Sequence, residues 1–328
     1  MFGKPFVREL ISRSAENEAD RRRFLRSASV AGLGLVGAGM VGSTALATAA
    51  PAMAATSRKD SLDQHEGDDA PISDGAILNF ALNLEYLEAE FYSYATTGHG
   101  LPSSMIHGTG KLGGVSGGYE VPFATPFVRG LAQEIARDER EHVAFLRAAL
   151  GSAKVARPKI NIKYAFTEAA RAAGLVGPRQ TFDPYANEDN FLLGAYIFED
   201  VGVTAYKGAA PLISNKTYLG AAAGILSVEA YHAGSIRTLL FERGLCYDTN
   251  TISAARNFLD SKSGAPHRDQ GTIRNGKVNI VPTDSNGLAF GRTPGQVLNI
   301  VYLNPDVVRH GGFFPAGVNG TINMSTAN

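Results

Sequence analysis

Cysteine and net charge are what this 328-residue sequence has least of. The single cysteine, Cys246, has no internal disulfide partner, and one thiol cannot form the thiolate cluster that structural zinc or an iron–sulfur centre needs. Any bound metal must therefore have oxygen and nitrogen ligands. The 31 basic and 31 acidic residues balance, which argues against nucleic acid as the main partner because phosphate binding needs clustered Lys and Arg. With 44% hydrophobic residues, the chain is globular rather than disordered.

The N-terminal segment differs in composition from the rest of the chain. Arg21 and Arg22 precede Phe24 and Leu25, a weakly apolar run rich in alanine and glycine follows, and an Ala-Met-Ala sequence ends at Ala54. This pattern resembles a twin-arginine export signal that is cleaved after Ala54. The alternatives are an uncleaved membrane anchor and a basic cytoplasmic tail, but the run is weakly hydrophobic for a membrane-spanning helix. We therefore expect the twin-arginine translocase to export the protein, which would be periplasmic or secreted.

Four later stretches show the periodicity of long α-helices, over residues 74–96, 126–150, 187–209 and 216–243. About 36 residues separate the second and third helices, whereas about six join the third and fourth. The short connection predicts antiparallel neighbours, and the long one is sufficient to cross the length of a bundle. The sequence therefore predicts an all-α fold with a signal peptide (1–54), a linker (55–71), a four-helix bundle (72–244) and a loop-rich C-terminal extension that packs on the bundle (245–328). The glycine-rich segment 98–120 gives no indication of its role.

Polar residues interrupt the apolar stripes of all four helices. Two of the seven histidines follow a glutamate by three positions, near the middle of the second and fourth helices. This spacing places both side chains on one helical face. The first and third helices each carry a glutamate near the middle. One glutamate from each of two helices, plus Glu-x-x-His from each of the other two, is the ligand set of di-iron and di-manganese carboxylate bundles. The candidate metal ligands are thus Glu85, Glu139, His142, Glu199, Glu229 and His232.

The stretches "LNFALNLEYLEAEFY", "DEREHVAFL", "FEDVGVTAY", "SVEAYHAG" and "GGFFPAGVNGTI" resemble the ferritin-like superfamily. Within it, the chain is similar over residues 72–322 to the family of plant desiccation-related proteins and their exported bacterial relatives. The resemblance implies a ferritin-like four-helix bundle in which the six candidates are the ligands and Glu139 and Glu229 bridge two metals. Glu88 is an alternative to Glu85 on the first helix. Glu85 is preferred because Tyr92 follows it by seven residues, as in bacterioferritin-like and rubrerythrin-like bundles.

Some of these residues also have purely structural interpretations. The sequence "ARDEREH" is so charged that Glu139 or Glu141 could instead pair with Arg137 or Arg140 on a solvated surface. Cys246 has no base beside it in the sequence and is expected to be inert. Three tyrosines are candidates either for hydrogen bonding or radical chemistry near a metal, or for ordinary packing: Tyr92, Tyr196 and Tyr231.

The charge of the candidate site indicates the kind of ion. Four buried glutamates carry a large desolvation cost, which two divalent cations would offset. Carboxylates with two imidazoles suit iron or manganese better than structural zinc, which prefers closed four-coordinate sites. We therefore expect an oxidoreductase that acts on oxygen or peroxide with two iron or manganese ions. The alternative is a non-catalytic stress, desiccation-related or metal-storage protein that retains the bundle, and either form could be a homo-oligomer.

Overall fold

The computed structural model describes residues 72–261 and 268–327, so the expected signal peptide and linker lie outside the described residues. The helices of the described part are α1 (Asp74–Thr97), α2 (Pro126–Leu150), α3 (Tyr164–Ala172), α4 (Glu188–Ala209), α5 (Lys216–Glu242), α6 (Cys246–Asp260) and α7 (Pro294–Val301). The strands have two residues each: β1 (Val115–Ser116) pairs in parallel with β2 (Ile160–Asn161), and β3 (Ile273–Arg274) pairs antiparallel with β4 (Lys277–Val278). The prediction of an all-α bundle is confirmed.

Helices α1, α2, α4 and α5 form the bundle, and polar contacts at their ends fix its directions. The carboxylate of Asp74, at the start of α1, accepts hydrogen bonds from the backbone N–H groups of Ser214 and Asn215, just before α5. Arg243, just after α5, pairs with Glu188 in the first turn of α4, and Glu188 also accepts from the N–H of Thr125 just before α2. Helices α1 and α5 therefore begin at one end of the bundle, whereas α2 and α4 begin at the other.

The helix boundaries follow from capping residues in the sequence. The side chains of Ser73, Asn187 and Asn215 accept hydrogen bonds from the first free N–H groups of α1, α4 and α5, as expected for N-caps. Helix α1 ends at Gly98, whose φ of 72° lies in the left-handed region that glycine adopts without strain. Each bundle helix agrees with the predicted range to within one residue at either end.

Helices α1 and α4 are buried on nearly every face, whereas α2 and α5 each bury one face. The C-terminal extension buries part of the outer faces of α1 and α4. Asn83 of α1 exchanges two hydrogen bonds with the backbone of Asn319, and Phe313 packs against Phe198 of α4. Two helical segments differ from the sequence-based expectation. The crossover contains α3, which was not predicted, and the extension, which was expected to be rich in loops, begins with the 15-residue helix α6.

The glycine-rich segment between α1 and α2 packs against the crossover. A side chain at Gly113 would lie 2.2 Å from the backbone nitrogen of Lys159, so only glycine permits this approach. The buried carboxylate of Glu90 on α1 contacts the guanidinium of Arg157, which also donates to the carbonyl of Gly113 at 2.6 Å. The segment is therefore attached to the bundle through a buried ion pair.

Candidate metal centre

The six candidate ligands meet in the interior of the bundle, between the pair α1–α2 and the pair α4–α5. The helical period turns the Glu-x-x-His pairs of α2 and α5 toward α1 and α4, whose single glutamates face them. The four glutamates are at most 1% exposed, and the histidines are 8% and 5% exposed. The six are Glu85 on α1, Glu139 and His142 on α2, Glu199 on α4, and Glu229 and His232 on α5.

Their donor atoms form two overlapping groups. His142 Nδ1 lies 3.2 Å from Glu85 Oε2, 3.4 Å from Glu139 Oε2 and 3.5 Å from Glu229 Oε1. His232 Nδ1 lies 3.0 Å from Glu139 Oε1 and 3.6 Å from Glu199 Oε2. Within each group the donor atoms are within 4.8 Å of one another, and Glu139 and Glu229 belong to both groups. The arrangement therefore has two positions for a cation, with two carboxylates common to both.

Most of these donor atoms make no hydrogen bond to the described part of the chain. Eight are buried and unpartnered there: Glu85 Oε2, both carboxylate oxygens of Glu139 and of Glu229, Glu199 Oε2, and Nδ1 of each histidine. Burying such atoms without partners is costly. Their convergence is what coordination of a cation requires, so the residues present fit a pair of metal ions.

The electrostatics of the six residues lead to the same conclusion. Burial raises the pKa of Glu85 to about 7, and burial together with the carboxylate of Glu139 raises the pKa of Glu229 well above its ordinary value. Burial opposes protonation of the imidazoles, but Glu85 and Glu199 outweigh it and raise the pKa values of His142 and His232 to about 10 and about 11. In the metal-free chain the two imidazoles and the carboxyl of Glu229 thus favour their protonated forms, and bound metal ions would displace those protons.

The comparisons with known proteins agree with this geometry. A family model described as a ferritin-like domain matches residues 73–242, just over half of the chain. The chain belongs to this ferritin-like family. It is 34% identical over 253 residues to the desiccation-related protein PCC13-62 of Craterostigma plantagineum. The alignment covers 71% of this chain and 79% of that protein. It is also 29% identical over 287 residues to the ferritin-like catalase Nec2 of Nesocodon mauritianus, covering 80% and 88% respectively. No solved structure matches the chain significantly.

In this ferritin-like bundle, two buried tyrosines orient the carboxylates of Glu85 and Glu199, which each belong to only one donor group. Tyr92 of α1 donates a hydrogen bond to Glu199 of α4, and Tyr206 of α4 donates one to Glu85 of α1. Each tyrosine follows its own helix's glutamate by seven residues, so the two bonds are exchanged crosswise between α1 and α4. Tyr92 was predicted from the sequence, whereas Tyr206 was not, although it follows Glu199 by the same seven residues.

The other aromatic and charged alternatives lie away from the metal groups. Tyr196 hydrogen-bonds to the hydroxyl of Ser253 at 2.7 Å, and Tyr231 is 77% exposed, so neither touches the candidate ligands. Arg137 pairs with its neighbour Asp138 at 3.2 Å, and the buried Glu139 has no arginine partner among the described residues. Cys246 is a free, half-buried thiol at the start of α6.

Glu88 is buried but lies outside both groups, so Glu85 is the α1 glutamate that the structure places with the histidines. A methyl group built on Gly202 of α4 would stand 2.5 Å from Glu229 Oε2 and 3.4 Å from Glu88 Oε1, so both carboxylates face this glycine. Glu88 and Gly202 also line a cavity of about 20 Å³, which is room for about one water molecule. The absence of a side chain at Gly202 therefore leaves space beside one of the two shared glutamates.

Within residues 72–261 and 268–327, no helix combines the length and the apolar character that crossing a membrane requires.

Proposed function

We propose that the chain is an exported oxidoreductase of the ferritin-like family that holds two iron or manganese ions and acts on peroxide or oxygen. The observation that carries the proposal is the pair of overlapping donor groups in which Glu139 and Glu229 are common to both. Two metal ions held by these groups would supply the two-electron chemistry that converting peroxide into water and oxygen requires. The name of the relative Nec2, a ferritin-like catalase, supports peroxide as the substrate.

The side chains of the site have distinct roles in this proposal. Glu139 and Glu229 would bridge the ions, while Glu85 and Glu199 would each bind one ion and are oriented by the hydroxyls of Tyr206 and Tyr92. Such outer hydrogen bonds fix the orientation of a ligand and raise metal affinity.

Access to the ions is expected along the seam between α2 and α5. The histidines are the most exposed of the six ligands, and His232 Nε2 lies 3.4 Å from Asp138 Oδ2, a carboxylate that is 28% exposed. Asp138 is placed to orient the imidazole of His232 at the exposed side of the site.

The test uses protein purified after export from its native host. We expect about two iron or manganese ions per chain by elemental analysis, a mature chain that begins after Ala54, and peroxide consumption that rises with metal content. The variant Tyr231→Phe, which changes an exposed residue of α5, is the matched control and should keep both metal and activity. Natively exported protein that contains neither iron nor manganese would contradict the site itself.

The second candidate is a non-catalytic stress protein, which the 34% identity to a desiccation-related protein favours. The same experiment separates the two. A chain that carries two ions but neither consumes peroxide nor oxidises iron(II) faster than the free ions would support the non-catalytic protein. Storage of mineral iron would in addition require a closed multi-subunit shell, which size-exclusion chromatography would reveal.

A further inference from the structure

A second cavity, of about 100 Å³, lies between α4, α5 and the C-terminal extension. Its wall is largely apolar, with Val203 from α4, Ala233 from α5, and Ile280, Ala289 and Phe290 from the extension. None of its lining residues belongs to the six candidate metal ligands. An engineered apolar cavity of about 150 Å³ binds benzene, so this smaller space limits a ligand to an organic molecule no larger than about that size.

A buried network of ion pairs lies against one side of this cavity. Arg237 Nη1 is 2.8 Å from Asp200 Oδ2, and Arg256 Nη2 is 2.9 Å from the same oxygen. Arg256 and Arg292 each pair with Asp269, and Arg292 Nε lies 2.7 Å from Asp260 Oδ2. Three buried arginines thus face three buried aspartates: Arg237, Arg256 and Arg292 with Asp200, Asp260 and Asp269. The charge of this network is balanced without any further residue.

Arg268 adds a fourth positive charge that this balance does not need. Its Nη1 atom is buried and has no hydrogen-bond partner among the described residues, although the side chain lines the cavity. Burial raises the pKa of Asp260, and the charge of Arg292 and, less strongly, that of Arg268 act to lower it. Arg268 is therefore near Asp260, but no hydrogen bond joins the two side chains. Arg268, a lining residue of the cavity, therefore has one guanidinium nitrogen, Nη1, that no anion among the described residues accepts from.

Gln270 provides a second free donor on the same wall. It is 7% exposed, its Oε1 accepts a hydrogen bond from Asn279 Nδ2 at 3.2 Å, and its Nε2 is buried without a partner among the described residues. Buried donors without partners are rare in native proteins, and these two donors belong to residues that line the same cavity, which favours a ligand that accepts hydrogen bonds there.

We propose that this cavity binds a short-chain aliphatic carboxylate, with its carboxylate on Arg268 and Gln270 and its alkyl chain against Val203, Ile280 and Phe290. The positive charge of Arg268 selects an anion, and the apolar wall selects a hydrocarbon chain over a hydrated inorganic anion. Val281, which is 73% exposed, lies at the rim of the cavity and marks where the ligand enters.

Butyrate is the probe for this site, with butyramide as the uncharged analogue of the same shape and chloride as the inorganic anion. Isothermal titration calorimetry on the metal-loaded chain should show one butyrate per chain, at least about tenfold weaker binding of butyramide, and no binding of chloride. Equal binding of butyrate and butyramide, or no binding of butyrate, would overturn the proposal.

Two variants test the assignment of residues. Arg268→Gln should weaken butyrate binding at least about tenfold, while Arg274→Gln, which changes an exposed arginine of the same extension, should leave it unchanged. Ala289→Phe should fill the cavity and block butyrate without changing any charge. Both cavity variants should melt within a few degrees of the unmodified chain, which separates loss of the ligand site from loss of the fold. Unchanged binding in Arg268→Gln or in Ala289→Phe would place the butyrate elsewhere and refute the assignment.

Discussion

Replacing Glu229 by glutamine should remove both metal ions, whereas replacing Glu85 should remove only one. The difference follows from the geometry, since Glu229 belongs to both donor groups and Glu85 belongs to only one. We expect the metal content to fall from about two ions per chain to below one in Glu229→Gln, and to about one in Glu85→Gln. Elemental analysis after dialysis against metal-free buffer measures both values.

The same variants make a prediction about stability. At a free-ion concentration of 100 times Kd, each ion stabilises the folded chain by about 2.7 kcal/mol, and two by about 5 kcal/mol. For a domain of this size, that corresponds to a rise in melting temperature of roughly 10–20 °C. Glu85→Gln should show about half of this rise, and Glu229→Gln almost none.

The metal-free form of Glu229→Gln should be no less stable than the metal-free original, to within about 1 kcal/mol. Both carboxylate oxygens of Glu229 are buried without hydrogen-bond partners among the described residues, so glutamine removes an unfavourable burial rather than a structural bond. Glu242→Gln, at an exposed position of the same helix, is the matched control and should keep both ions. Retention of two ions in Glu229→Gln would refute this prediction. Equal losses of metal in Glu229→Gln and Glu85→Gln would also refute it.

The metal-free chain should lose stability between pH 6 and pH 9 in urea unfolding. The folded-state pKa values of His142 and His232, about 10 and about 11, lie above the ordinary 6.5. The two protonated imidazoles therefore contribute fully to the free energy of unfolding below pH 6.5, and this contribution is lost as the pH rises. A rise in stability over this range would contradict the prediction. Tyr92→Phe and Tyr206→Phe should each weaken metal binding about tenfold in competition with a chelator, and unchanged affinity would show that these hydroxyls do not orient ligands. Gly202→Ala should lower the metal content, because its methyl group would stand 2.5 Å from the shared Glu229. The metal-free variant should lose no more than about 1–3 kcal/mol of stability. Full retention of two ions would refute the close approach.

The sequence was sufficient to predict the bundle and to select the six residues that meet in it. Helical periodicity alone places Glu139 with His142, and Glu229 with His232, on one face. Periodicity could not separate Glu85 from Glu88, since both are buried on α1, and the preference for Glu85 came from the spacing to Tyr92. In the structure Glu88 lies outside both donor groups and faces Gly202 of α4.

The extension was harder to predict, because its contacts join residues far apart in the chain. The buried network that connects Asp200 with Arg237, Arg256 and Asp269 depends on how residues 245–261 and 268–292 fold back on α4 and α5. No local periodicity signals such a network. The cavity beside Arg268 follows from the same packing and could not be read from the sequence.

The most direct test of the metal centre is anomalous X-ray diffraction from crystals of the natively exported protein, recorded at the iron and manganese absorption edges. We expect two peaks of anomalous density about 3.5–4 Å apart, both in contact with Glu139 and Glu229. A single peak, or peaks that touch neither of these glutamates, would contradict it.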